Sequence, residues 1–300
     1  MRGDGFTEFG AVEHGQVGAL AVGSREVGGV AEQGRPGQAL DDRYAHAAAN
    51  SRIQTGESQD VAISPDGRRA YVTSPSTVFP TVRVIDTATT MEVDHVPVGH
   101  GPFGLTVTPD GRRVYVANAY SDSLSVIDTA SDKVVDEIKV GSDPVDVVMS
   151  PDGRLVYVAN SGYGTPTSLS VIDTATDKVV GRPGRLGDFT YGLAVTPDGR
   201  RLYVTDLLGS VSVVDTATGK TTGGPIPVGS HPKDVVVSPD GHRAYVTNEH
   251  SDSLSAIDTS TNKVTDTIRV GGPTRIALTP DGRHARITQS CRGSVSVIDF

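Results

Sequence analysis

The chain has one cysteine, Cys291, no tryptophan, and fewer basic than acidic residues, 27 against 36. A lone cysteine excludes an internal disulfide framework and leaves the redox compartment open. The resulting net charge of −9 argues against a nucleic-acid partner, which needs a basic face. No apolar run reaches the roughly 18 residues that a membrane-spanning helix requires. Strong catalytic signatures are missing too: there is no Gly-x-Ser-x-Gly, His-Glu-x-x-His or Cys-x-x-Cys. Gly99-His-Gly-Pro-Phe-Gly104 fits the dinucleotide glycine pattern, yet it leads into a strand with no helix behind it. The first ten residues lack the basic-then-apolar layout of a secretory signal. The expectation is therefore a protein that stays inside the cell, or a chain that lacks its natural start.

What is present is a repeat. Pro-Asp-Gly occurs at Pro65, Pro109, Pro151, Pro197, Pro239 and Pro280, with spacings of 44, 42, 46, 42 and 41 residues. A period in this range signals a repeat architecture. In the unit from Pro144 to Gly187, the β-branched run Val145–Met149 ends at Ser150-Pro-Asp-Gly153. Proline pre-sets φ, aspartate tolerates turn geometry and glycine supplies the left-handed position, so the chain reverses. Arg154–Ala159 forms the second strand and Leu169–Ile172 the third. Asp173-Thr-Ala-Thr-Asp177 turns the chain again, the carboxylate bonding nearby amides, and Lys178-Val-Val180 begins the outermost strand. Four short strands in about 40 residues describe a β-propeller blade.

The same residues resemble a known family. Tyr115-Val-Ala-Asn118, Tyr157-Val-Ala-Asn160 and Tyr245-Val-Thr-Asn248 match the motif of YVTN-type propeller repeats. Tyr71-Val-Thr-Ser74 and Tyr203-Val-Thr-Asp206 are close variants, while Arg286-Ile-Thr-Gln289 departs at both ends. The Ser/Thr-Pro-Asp-Gly turn and the Ile/Val-Asp ending of the third strand also fit. Absence of tryptophan argues against the WD-type propeller. The resemblance covers about residues 51–300 and implies the fold. It is not specific for activity, because such propellers include bacterial surface-layer-like, binding and lactonase-like relatives.

Residues 1–50 carry no repeat turn and read as a Gly/Ala-rich flexible extension, with a short helix expected near Leu40–Ala49. Ser51–Thr55 reads as an outer strand without a blade of its own, while Ser294–Asp299 is a third strand with no fourth behind it. Pairing the two would close a six-bladed ring and remove exposed edges. The rival count is seven, with residues 1–50 supplying a degenerate blade. The expectation is an all-β, six-bladed propeller over 51–300, monomeric.

Residues that recur in every blade serve the blade, so function is sought where the copies differ. Five positions before each turn proline stand Asp60, Gly104, Asp146, Gly192, Asp234 and Arg275. Three carboxylates on alternate blades suit a hard cation such as Ca²⁺, with Arg275 between its ring neighbours Asp234 and Asp60. On the alternative reading each Asp bonds nearby backbone amides. Glycine at the intervening positions is expected to keep the mouth open for a guest. The preceding loops add His100, Phe103, Asp188, Phe189, Tyr191, His231 and Lys233. Second-strand ends add Asn118, Tyr120, Asn160, Asp206, Glu249, His250 and Gln289. Aromatic rings among a few polar groups suit a ligand pocket, and His231, His250 and Glu249 share one blade in a combination fit for acid–base work.

The function expected is a non-catalytic scaffold that presents loops to a protein, glycan or small ligand, with no cofactor required and Ca²⁺ an option. The alternative is a lactonase-type hydrolase using a metal or a His/Asp/Arg set at the channel mouth.

Overall fold

A computed structural model describes residues 58–76, 78–162, 167–183, 186–289 and 294–300. The expected extension over 1–50 and the outer strand at Ser51–Thr55 lie outside the described residues. Six antiparallel sheets follow one another around a ring, each a blade of a β-propeller. Blade 2 shows the pattern: Pro102–Val107 lines the channel, followed outward by Arg113–Asn118, Ser123–Asp128 and Lys133–Lys139. In blade 4 the outermost strand is split into Lys220–Thr221 and Ile226–Pro227. In blade 6 the described strands are Pro273–Leu278, His284–Gln289 and Ser294–Asp299.

The second strand of each blade is the most buried, because blades cover both of its faces. Val114, Tyr115, Val116 and Ala117 are all fully buried. Their alternating side chains feed two different cores, one on each side of the blade, and clusters of this kind repeat around the ring. Burial of aliphatic side chains at about 25 cal/mol per Å² of apolar surface thus joins each successive pair of blades from blade 1 to blade 6.

Polar contacts reinforce these seams on the face that carries the Pro-Asp-Gly turns. The turn aspartate works locally: in Thr108-Pro-Asp-Gly111, Asp110 accepts hydrogen bonds from the Thr108 hydroxyl at 2.6 Å and the Arg112 amide at 3.0 Å. The turn glycines of blades 2 to 6, at positive φ, also lie against the turn proline of the preceding blade. A Cβ on Gly153 would stand 3.0 Å from Pro109, and one on Gly282 3.0 Å from Pro239. Arg113 donates to Asp177 of the next blade at 2.6 Å, and the Tyr115 hydroxyl donates to the same carboxylate at 2.8 Å. Arg69 makes the equivalent contact with Asp132 at 2.9 Å.

A β-bulge on the inner strand positions the channel. Register shifts fall between Pro102 and Leu105, Thr190 and Leu193, Pro232 and Asp234, and Pro273 and Ile276. Bulges re-aim side chains and leave ladder groups unpaired. The threonine of the Tyr-Val-Thr motif takes part of that load. Thr73, Thr205, Thr247 and Thr288 accept from the amides of Asp60, Gly192, Asp234 and Arg275 at 2.7–3.0 Å.

Candidate functional site

The inner strand of each blade carries a second amide in need of an acceptor, and three aspartates supply all six. Asp60 accepts from Val61 of its own blade at 2.9 Å and from Leu105 of the next at 3.1 Å. Asp146 accepts from Val147 at 3.0 Å and, across the seam, from Leu193 at 2.8 Å. Asp234 accepts from Val235 at 2.9 Å and Ile276 at 3.0 Å. One carboxylate with two oxygens serves two blades, which explains why aspartate recurs on alternate blades. The pattern closes evenly on six blades and would leave one blade unserved on seven.

The same geometry revises the expectation for the glycines. They do not hold the mouth open. A Cβ on Gly104 would lie 2.8 Å from the Cα of Asp146, and one on Gly192 would lie 2.9 Å from the Cα of Asp234. The backbone of the following aspartate fills that space.

Arg275 pairs with one of its two ring neighbours, Asp234, at 3.8 Å, and also reaches Asp146 at 3.8 Å, on the blade opposite its own. Asp60 contributes as well to the field that, against the cost of burial, raises the Arg275 pKa. Burial pushes the Asp146 carboxyl up to about 7, with Arg275 pulling it down and Asp60 and Asp234 pushing it further up. Asp234 moves upward for the same leading reason, burial, against the pull of Arg275. The three carboxylates thus have six amides and one guanidinium as partners.

Away from the axis, the loops at the mouth of blades 4 and 5 assemble a second group. Glu249 Oε2 lies 3.1 Å from His231 Nδ1 and 3.6 Å from Lys233 Nζ. The His231 and His250 rings stack with centroids 4.1 Å apart and planes 8° from parallel. Lys233 Nζ sits 4.6 Å above the Tyr191 ring. The expected meeting of His231, Glu249 and His250 therefore occurs, and Tyr191 and Lys233 join it. His100 and Phe103 stand on blade 2 and make none of these contacts.

Other candidates play structural parts. Asn118, Asn160 and Asn248 are fully buried and do not line the mouth. Each donates its amide to serines of the third strand: Asn118 to Ser123 at 3.3 Å and Ser125 at 2.9 Å, for example. Glycines 99, 141 and 229 pack directly on these amides. Asp206 takes the corresponding place in blade 4 and accepts from the amides of Asp188, Phe189 and Leu208. Beside it, the split outer strand opens a cavity of 260 Å³ lined by Gly187, Ser212, Thr221 and Gly224 among others. Tyr120, by contrast, is largely exposed.

Comparison with known proteins agrees on architecture. Residues 45–152 match the model of the YNCE-like beta-propeller family. No curated protein matches the sequence. Among solved structures, a chain of the Kuenenia stuttgartiensis hydrazine synthase is similar with a TM-score of 0.58 and 20% identity, covering 83% of this chain and 99% of its own. A functionally unknown protein from Desulfotomaculum acetoxidans reaches a TM-score of 0.68 at 19% identity, over 77% of this chain and 75% of its own. At such identity these likenesses establish the fold alone. Together with the family match, they agree with the YVTN-type resemblance of the repeats. Among the described residues no helix is long and apolar enough to cross a membrane.

Proposed function

We propose that the protein is a non-catalytic binding propeller whose recognition surface is the loop face of blades 4 and 5. One observation carries this reading. The acidic ring at the axis bonds backbone amides and Arg275, whereas Tyr191, Lys233, His231, Glu249 and His250 converge in the loops beside it. An aromatic ring beside a few polar groups is the usual composition of a ligand-binding surface. A glycan or a peptide carrying polar side chains meets that chemistry.

The second reading, a lactonase-type hydrolase, draws on the 3.1 Å approach of His231 to Glu249. A histidine oriented by a carboxylate is the arrangement used by general bases. The two readings separate in one comparison. Wild-type protein and a Tyr191→Ala/Lys233→Met variant are applied to glycan and peptide arrays, and both are assayed against a panel of γ- and δ-lactones. Binding lost in the variant, with no lactone turned over by either protein, supports the scaffold. Lactone turnover by the wild type that disappears on His231→Gly supports the hydrolase instead.

A further inference from the structure

The repeats provide an internal control for blade 5. In blade 2, the loop before the inner strand is tied to a single 3-10 turn, Ala119–Ser121, by Ala119 N to Gly101 O at 2.8 Å and Tyr120 N to His100 O at 3.1 Å. In blade 5, the turn Glu249–Ser251 is tied the same way, by Glu249 N to His231 O at 3.0 Å and His250 N to Ser230 O at 3.3 Å. These two backbone ties correspond, and both turns end in a left-handed aspartate, Asp122 and Asp252. Where blade 2 carries Gly101, Ala119 and Tyr120, blade 5 carries His231, Glu249 and His250. The scaffold evidently stands without imidazoles or a carboxylate at these three positions.

The φ of His231, +57°, lies in the left-handed region, where blade 2 uses Gly101, blade 3 Asp143 and blade 6 Gly272. Histidine is one of the few side chains that enter this region with some frequency. There it places Nδ1 against Glu249 and its ring face against His250. One ligand atom from each of His231, Glu249 and His250 lies within 4.8 Å of the others.

We propose that His231, His250 and Glu249 form a binding site for a divalent transition cation of the zinc class. Two imidazole nitrogens and one carboxylate oxygen are a donor set that zinc accepts, leaving a fourth position open to an outside ligand. Bonds of about 2.0–2.1 Å in a tetrahedron bring donor atoms to about 3.4 Å from one another, so the group must contract. His250 is exposed, so its side chain has room to move, which supplies that contraction once its stacking on His231 is released. The stacked rings must also splay, since parallel imidazoles do not aim at one point. Lys233 stands 3.6 Å from the same carboxylate while its ammonium lies over the Tyr191 ring. Its ammonium is thus a competitor for the metal. The site goes beyond the proposed scaffold role and is judged separately, because cation binding is read with no other ligand present.

The test is calorimetric titration of the full chain with ZnCl₂, paired with the visible absorption of the Co²⁺ form. The wild type should bind one Zn²⁺ per chain and give tetrahedral Co²⁺ bands. His250→Ala, at an exposed position, and His231→Gly, which suits the left-handed backbone, should each weaken binding by more than the roughly 10–100-fold typical of lost outer-shell partners. Lys233→Met keeps the packing on Tyr191 and removes the competitor, so affinity should rise. His100→Ala, on the matching loop of blade 2, should change nothing. Absence of saturable zinc binding overturns the site, as does binding that survives both His250→Ala and His231→Gly. Equal loss in His100→Ala also overturns it, since the zinc would then be held by scattered surface histidines.

Discussion

Arg275 on blade 6 and Asp146 on blade 3 meet across the channel axis, with guanidinium and carboxylate 3.8 Å apart. Opposite blades are thereby joined through the centre of the ring, while every other recorded blade-to-blade bond of this cluster runs between neighbours. The same guanidinium stands 3.8 Å from Asp234, so one cation balances a group of acids that mutual repulsion would otherwise drive apart.

Replacing Arg275 with methionine should therefore destabilise the fold strongly. Loss of one partner from a buried charge cluster typically costs about 3–5 kcal/mol. Denaturant unfolding measures it, and a loss near zero would show that the carboxylates do not depend on the guanidinium. The variant should also show a larger Ca²⁺-dependent rise in melting temperature than the wild type, because the added cation takes over the role of the missing one.

The pH dependence of stability has a definite sign. Asp146, with its pKa raised by burial to about 7, binds its proton more tightly in the folded state than in the unfolded one. Asp234 shifts in the same direction. Their contribution is fully present below the ordinary carboxylate range and is lost as pH rises towards 7. The turn aspartates act oppositely. Hydrogen bonds from neighbouring hydroxyls and amides lower Asp110, Asp198 and Asp258, so their contribution is lost only as pH falls below the ordinary range. Stability should peak in mildly acidic solution. Asp146→Asn should flatten the decline on the neutral side, and thermal melts over a pH series decide it. An unchanged slope in the variant would assign the decline to other groups.

Asp146→Asn should also carry a cost of its own. An amide offers one acceptor oxygen where the carboxylate offers two, so either Val147 or Leu193 loses its partner. Leaving one buried donor unsatisfied costs about 1–3 kcal/mol. Hydrogen exchange at Val147 and Leu193 locates the loss, and full protection of both amides would contradict the shared-carboxylate geometry.

Glycine at the channel position is a packing requirement. Gly104→Ala should destabilise by about 1–3 kcal/mol, the usual cost of overpacking, since its Cβ meets the Asp146 backbone. Gly224→Ala is the control, with nothing within 4 Å of its added methyl group. Equal melting temperatures for the two variants would mean that blades 2 and 3 separate readily.

Asp128→Ala tests the local role of the turn residues. Asp128 accepts from the amide and hydroxyl of Ser131, both at 2.8 Å, and touches nothing at the mouth. Its loss should lower the melting temperature and leave zinc and glycan binding unchanged. A change in either binding would connect the two faces of the ring.

The repeat itself was legible in the sequence because it rests on short-range chemistry. Pro-Asp-Gly at a near-constant period, alternating aliphatic strands and a strand-ending aspartate are each satisfied within a few residues, so pattern and spacing sufficed for blade, fold and count. The ring order Asp, Gly, Asp, Gly, Asp, Arg was also readable, but not its meaning. Three contacts between residues more than 40 positions apart decided that: Asp60 with the Leu105 amide, Asp146 with Leu193 and Asp234 with Ile276. The open amides of the inner strands leave no residue signature, and the reach of Arg275 to Asp146 depends on the width of the closed ring. At the mouth, the sequence put His231, Glu249 and His250 in one blade. Only the left-handed turn at His231 and the 3-10 turn at Glu249–Ser251 brought them together, because contact between side chains on separate loops is set by backbone path and not by residue type.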